Sequence, residues 1–226
     1  MLTKRRPELV SKRPKEKVVH LYELLFHGEK VEKDINFWED FFLLQPNCEF
    51  LEQRLQKVDY SELPVLKTSI LLLFKSCVDV LDSDNVKRIN NSLVTLSILV
   101  LAIFKKSNGE PGNSFLIICS DDIQSGLRKI IEKMNTLLVN DHYESTRYYC
   151  IKLLFILITG KHNLSKNIIE HVMVNNLFDP LKTILSDPSL RQEHGYDIVT
   201  LITLLVCLTK SNSCRWYKYY LFPDQL

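Results

Sequence analysis

Asp82, Ser83 and Asp84 have the D-x-D spacing with which metal–phosphate enzymes hold a divalent cation between two carboxylates. No strand precedes the triplet, and it separates two apolar periodic segments. It reads as an interhelical turn, with Asp84 capping the helix that follows. The candidate general bases are His20, His27, His142, His162, His171 and His194. Glu170–His171 and Glu193–His194 put an acid beside an imidazole, but neighbours on a helix project about 100° apart and cannot orient one another. The histidines read as surface or capping residues. The sequence has no H-E-x-x-H and no two histidines at paired zinc spacing.

Nucleophilic and phosphate chemistry lack their frames as well. There is no G-x-S-x-G, and Gly112, Asn113 and Ser114 run into Phe115 and Leu116 in a loop. Neither G-x-x-x-x-G-K-[ST] nor G-x-G-x-x-G occurs, and six glycines in all offer no backbone nest for a nucleotide. The expectation is a protein that is not an enzyme, with no cofactor and no metal. A peptide groove that repeats Trp with Asn four residues on is missing too: Phe42 follows Trp38 at that distance, and Tyr220 follows Trp216.

The elements that would carry such residues follow from composition. The chain has 226 residues, 46% hydrophobic and 25% charged, with only 6 Gly and 8 Pro. That excludes collagen-like and disordered classes and points to helices around a sizeable core. Net charge is +2, too small for a general nucleic-acid binder. It is unevenly placed: residues 1–17 sum to +5, leaving −3 for the body. The start lacks the apolar h-region of a signal peptide. Cys48, Cys77, Cys119, Cys150, Cys207 and Cys214 are never spaced C-x-x-C and read as free thiols in a reducing compartment. The longest uncharged run, Ile89–Phe104, has an apolar part of only Leu93–Phe104, short of the roughly 20 residues that span a bilayer.

Along the chain, Val18, Val19, Leu21, Tyr22, Leu24, Leu25 and Phe26 recur at helical spacing, with Gly28 placed as a C-terminal cap. FWEDFFLL and the segment from Phe50 to Leu55 follow as a short helical cap. From Val65 three units repeat: a helix to about Leu81 with one ending near Phe104; a helix capped by Ser120 with one opened by a D-x-x-E box at Asp141 and Glu144; and, from Asn163, a helix to about Val174, a short one with Pro180 at its first position, and a last helix from Tyr196 to Thr209. Lys105–Asn113 is the clearest loop. The apolar centres SLVTLSILVLA, CIKLLFILIT and DIVTLITLLVCLT lie about 55 and 50 residues apart, near HEAT and armadillo spacing. The fold class expected is all-α, an α-solenoid of armadillo/HEAT-like helical hairpins, with an inner layer apolar on nearly all sides.

The expected parts are a basic flexible arm (1–14), an armadillo-like helical domain (15–210) and a divergent tail (211–226). The stretch Cys214–Pro223 is aromatic and basic where a solenoid end should be polar, so the chain reads as a fragment or variant whose later repeats are missing. The basic arm reads as a solvated extension, an anionic-membrane contact worth roughly 1 kcal/mol per basic residue near the leaflet, or a nuclear localisation signal. A nuclear or nucleic-acid-linked helical-repeat protein using that arm is the alternative reading. No nucleic-acid partner is expected, because aromatics do not interleave the basic residues.

At KEKVVHLYELLF (15–26), FWEDFFLL (37–44), EFLEQRL (49–55), EHVMVNNLF (170–178) and RQEHGYDIVTLITLLV (191–206) the chain resembles the N-terminal portion of the armadillo-like helical domain-containing protein 3 family, collinearly from about Lys15 to Thr209. The resemblance implies a cytoplasmic, Golgi-membrane-associated adaptor without catalytic activity. Such a protein binds phosphatidylinositol 4-kinase beta and supports recruitment of the Golgi Arf guanine-nucleotide exchange factor, phosphatidylinositol 4-phosphate levels, Golgi maintenance and secretion. It supplies no ligand-contact positions in this stretch. Arg191, Glu193, His194, Tyr196 and Asp197 are the candidate partner surface, set against a local reading in which Gly195 ends a turn in the left-handed region and the polar residues cap helix ends on either side.

Overall fold

The computed structural model describes residues 16–27, 35–56, 63–106, 121–159 and 162–211. The expected arm at 1–14 lies outside them. So do the caps at Gly28 and Ser120, most of the loop from Lys105, and the tail beyond 211. Ten α-helices are described: α1 (Lys17–Phe26), α2 (Ile35–Leu43), α3 (Cys48–Gln56), α4 (Leu63–Val80), α5 (Val86–Lys106), α6 (Asp121–Val139), α7 (Glu144–Thr159), α8 (His162–Val174), α9 (Phe178–Ser186) and α10 (Pro188–Ser211). No strand occurs among the described residues.

The helices form two stacked layers. Helices α5, α7 and α10 lie side by side in one, while α4, α6 and α9 lie behind them in the other. Helix α8 packs against α6 and α7; α1 covers α4, and α2 and α3 cover α5, closing the first end. This is the all-α solenoid anticipated from the spacing. Helix α6 shows the amphipathic rule, burying Ile123, Gly126, Leu127, Ile130, Ile131, Met134, Leu137 and Leu138 on one stripe. Helix α7, enclosed by neighbours, buries two adjacent stripes, Thr146, Cys150, Leu153 and Leu157 beside Arg147, Ile151, Leu154 and Ile158. The first end is sealed by rings: Tyr22 meets Phe41 edge-on at 5.1 Å and stacks near Phe26 and Phe50, and Trp38 stacks on Phe42 at 5.9 Å.

Helix starts differ from the sequence reading in which residue does the capping. Asn85, not Asp84, accepts the Arg88 N–H at 3.2 Å, and the Ser83 hydroxyl accepts that of Asn85. At the α6–α7 corner, Asn140 accepts the N–H of His142, and a 3₁₀ turn at Asp141–Tyr143 precedes α7. Asp141 is therefore not the first half of a capping box. Its carboxylate takes the Arg147 guanidinium at 2.9 Å, while Arg147 Nε donates to the Leu138 carbonyl at 2.9 Å. Arg147 is only 2% exposed, so these bonds compensate a buried cation. Helix α8 ends in a Schellman motif: Asn176 has φ 50°, Leu177 N–H donates to Val172 and Asn176 N–H to Met173. The Asn176 side chain donates to Asp179 of the next helix. Helix α9 begins at Phe178, so Pro180 is its third residue and not its first, still within the turn where no N–H is needed.

The layers are tied by polar side chains reaching backbone carbonyls. Ser69 donates to Leu25 at 2.8 Å, joining α4 to α1. Asn135 donates to Asn175 at 2.7 Å, joining α6 to the end of α8. The strongest knot is in α5. Asn90 donates to Ser145 and accepts from Thr146 at the start of α7. Asn91 donates both amide hydrogens, to Phe42 at 2.8 Å and Leu44 at 2.9 Å, satisfying the orphan carbonyls at the end of α2. Ser92 donates to Cys77 of α4 at 2.7 Å.

Replacing Asn91→Asp sets a carboxylate against two carbonyl oxygens. The expected cost is about 2 kcal/mol or more, read as a melting temperature lower by about 4–8 °C, with Asn91→Ala costing about half as much. Burial pushes the Cys150 thiol up to about 12 and that of Cys77 up as well, despite the Ser92 hydroxyl beside it. Cys48 and Cys207 are exposed. Maleimide should modify Cys48 and Cys207 in the native protein and reach Cys77 and Cys150 only in denaturant, which peptide mass spectrometry checks.

Candidate functional site

The candidate partner residues sit in the first turns of α10, and the turn there is built by Asp187 and Pro188. Asp187 Oδ1 accepts the N–H groups of Ser189 at 2.8 Å and Leu190 at 2.9 Å, while Pro188 occupies the first helical position, where its missing N–H costs nothing. The helix then runs unbroken from Pro188 to Ser211. Gly195 is thus not a left-handed stop between two helices, and the last helix does not start at Tyr196. Gly195 lies inside the helix, where an added Cβ would meet Arg191 Cγ at 3.2 Å. The bare backbone lets the Arg191 side chain cross it and donate to the Leu185 carbonyl at the end of α9, at 3.2 Å.

That continuous helix divides the five candidates. Glu193, Tyr196 and Asp197 fall at i, i+3 and i+4, on one face, with Tyr196 86% exposed. Arg191 is exposed but engaged with Leu185. His194 turns inward, buried to 3%, and its Nε2 lies 3.6 Å from a Glu193 oxygen without a hydrogen bond. His194 is therefore neither a surface nor a capping histidine: its place in the helical register points it into the packing. The structure puts exposed Glu193 and Tyr196 and half-buried Asp197 on one face and leaves the other two in the architecture.

Elsewhere the candidate chemistry separates. Asp82 pairs with Lys133 of α6 at 2.6 Å, so its carboxylate serves a helix–helix contact. His171 is held below the ordinary histidine value, first by desolvation and then by the Arg128 guanidinium, with Glu170 opposing. Among the described residues no three His, Cys, Asp or Glu side chains converge as a metal site requires, and no helix is long and apolar enough to cross a membrane.

One feature escaped the periodicity. A cleft of about 340 Å³ runs between α4 and α6, edged by Thr68, Lys75, Asp79, Asp122, Ser125 and Lys129, with Phe74 and Gly126 at its floor. Two lysines and two aspartates line it, so it carries no excess of either charge. The signal was Gly126 itself, a glycine on the buried stripe of an otherwise regular helix. A Cβ there would sit 3.1 Å from Phe74 Cζ and closer still to Cε1, and Phe74 is buried. Gly126→Ala gains about 1 kcal/mol of helix propensity but overpacks the α4–α6 contact by about 1–3 kcal/mol. The expected outcome is a net loss of about 1 kcal/mol in urea unfolding.

Comparison with known proteins gives these helices their relatives. The chain is 37% identical over 217 residues to armadillo-like helical domain-containing protein 3 of Xenopus laevis, covering 94% of this chain and 32% of that protein. The protein of the same name from Homo sapiens is 36% identical over the same shares, and that from Danio rerio 37% identical over 92% of this chain. The chain spans about a third of the length of the curated relatives it matches. No family model and no solved structure matches it. Over nearly all of its length, this helical-repeat chain is a relative of armadillo-like helical domain-containing protein 3.

Proposed function

We propose that the chain is a non-catalytic scaffold on the cytoplasmic face of the Golgi. In this reading it binds phosphatidylinositol 4-kinase beta and supports recruitment of the Golgi Arf exchange factor, and so phosphatidylinositol 4-phosphate levels, Golgi maintenance and secretion. The observation that carries the reading is the similarity to armadillo-like helical domain-containing protein 3 over 94% of the chain, which extends the resemblance at 15–26, 37–44, 49–55, 170–178 and 191–206. The architecture supports it physically. A stack of rigid helices presents long exposed faces fixed relative to one another, which favours protein docking at low ordering cost. The Glu193, Tyr196 and Asp197 face is the proposed contact, with an exposed aromatic beside two carboxylates. Aromatic anchors of this kind carry a disproportionate share of interface energy. The basic residues of 1–14 would add attraction to an anionic leaflet.

The test immobilises the full chain and offers purified phosphatidylinositol 4-kinase beta and the Arf exchange factor separately. Retention of the kinase is expected, with Tyr196→Ala weakening it at least fivefold while the circular dichroism spectrum is unchanged. Retention of neither protein by a folded chain overturns the reading.

A further inference from the structure

Two helices of the front layer carry an exposed tyrosine at the same position, and the two rings are served differently. The buried series of α10, His194, Ile198, Leu201 and Leu205, runs in step with that of α7, Thr146, Cys150, Leu153 and Leu157, 48 residues apart. The same step takes Tyr148, 48% exposed, to Tyr196, 86% exposed. In α7 the chain supplies the ring with a cation of its own: Lys152, one turn on, sets its Nζ 5.3 Å from the centre of the Tyr148 ring. In α10 the residue at that place is Thr200, whose hydroxyl is turned back to the Tyr196 carbonyl of its own helix at 2.8 Å.

What stands beside the second ring is negative charge. Ser145 and Tyr149 of α7 correspond to Glu193 and Asp197 of α10, the two carboxylates that share a face with Tyr196. Among the described residues no lysine or arginine pairs with either of them. Arg191 is drawn away to the Leu185 carbonyl, and His194, 3.6 Å from Glu193, is buried and makes no hydrogen bond through that nitrogen. Helix α10 thus repeats the ring, adds two carboxylates and omits the cation that its neighbour provides.

We infer that Tyr196, Glu193 and Asp197 form the seat of an arginine side chain borne on a segment of a protein partner. The inference rests on the reading of this face as the partner contact and adds what the partner must bring. The occupant follows from charge complementarity and from the example of Lys152 on Tyr148: an electron-rich ring flanked by carboxylates attracts a cation, and here the cation must come from outside the helix. Arginine suits the seat better than lysine, because a planar guanidinium stacks on the ring while its edge donates to a carboxylate.

The test titrates the full chain into a fluorescein-labelled peptide of alternating arginine and serine, with matched peptides carrying lysine or glutamate in place of arginine, and reads anisotropy. The arginine peptide is expected to bind at least threefold tighter than the lysine one and tenfold tighter than the glutamate one. Thr200→Lys gives Tyr196 the same i+4 lysine that Tyr148 has, and should weaken binding at least fivefold, as should Glu193→Gln combined with Asp197→Asn. Tyr148→Ala should change it less than twofold, and so should Glu49→Gln combined with Glu132→Gln, which removes as much exposed negative charge elsewhere. Circular dichroism shows that each variant is folded. Three results overturn the inference. Equal weakening by the two carboxylate pairs makes the attraction diffuse charge. Unchanged binding in folded Thr200→Lys means that the ring does not seat the cation. Binding that appears only when Arg5, Arg6 and Arg13 are changed to Ser makes the occupant the basic arm of this same chain. The two readings separate cleanly: kinase retention lost with Tyr196→Ala but untouched by Thr200→Lys keeps the partner contact and removes the arginine, whereas the expected peptide results in a chain that retains neither protein uphold the seat and remove the named partners.

Discussion

Three consecutive side chains hold α5 to three different helices. Successive residues on a helix point about 100° apart, so Asn90, Asn91 and Ser92 sweep most of the circumference in one turn. They reach the start of α7, the end of α2 and a carbonyl of α4. Apolar packing supplies most of the driving force in such a stack, but it is non-directional and tolerates helices sliding on one another. Hydrogen bonds to named carbonyls do not. A shift of α5 by one turn would break all of these bonds and leave the α2 carbonyls unpaired, so this turn sets the register of the cap and the first two units together.

The other buried polar groups follow the same logic with different margins. Arg147 is the expensive one, a guanidinium withdrawn from water, and it is tolerated because a carbonyl and a carboxylate face it at the corner between α6 and α7. The exposed carboxylate of Asp141 lets that charge be met from the solvent side. Tyr22 is less well served: its ring packs among Phe26, Phe41 and Phe50, and its hydroxyl is buried without a hydrogen bond of good geometry, so its ionisation is pushed up mainly by desolvation. The cap gains ring contact at the cost of a polar atom's pairing.

Much of the architecture was legible in the sequence because enclosed helices announce themselves. The apolar centres around Leu96, Leu154 and Leu201 mark α5, α7 and α10, the three members of one layer, since a helix with neighbours on most sides has few positions left for polar residues. Helix starts were less legible. Asp84 and Asn85, or Asn140 and Asp141, offer an equivalent oxygen one residue apart, and the choice is made by where the preceding chain leaves its backbone. Gly195 was misread for a related reason. A glycine next to polar residues signals a stop, but here it clears a path for Arg191 to cross toward Leu185. The candidate face was half legible: Glu193, Tyr196 and Asp197 share an outward side, whereas the burial of His194 depends on the register of α10 against its neighbours, which no local pattern encodes. The cleft between α4 and α6 left only Gly126 as a trace in the sequence, because its walls come from segments some fifty residues apart.

The unequal cover of the helices also grades the resistance of the chain to opening. In a stack of repeats, stability is close to a sum of neighbour terms. Helix α5 has neighbours in α2, α3, α4 and α7, while α10 leans on α7 and a short α9. Among the described helices, amide hydrogens of α5 are therefore released late, close to global unfolding, and those of the far half of α10 early, through local fraying. The described stack is a graded spring more than a uniform rod, stiffer where α5 is held on several sides and more compliant along α10.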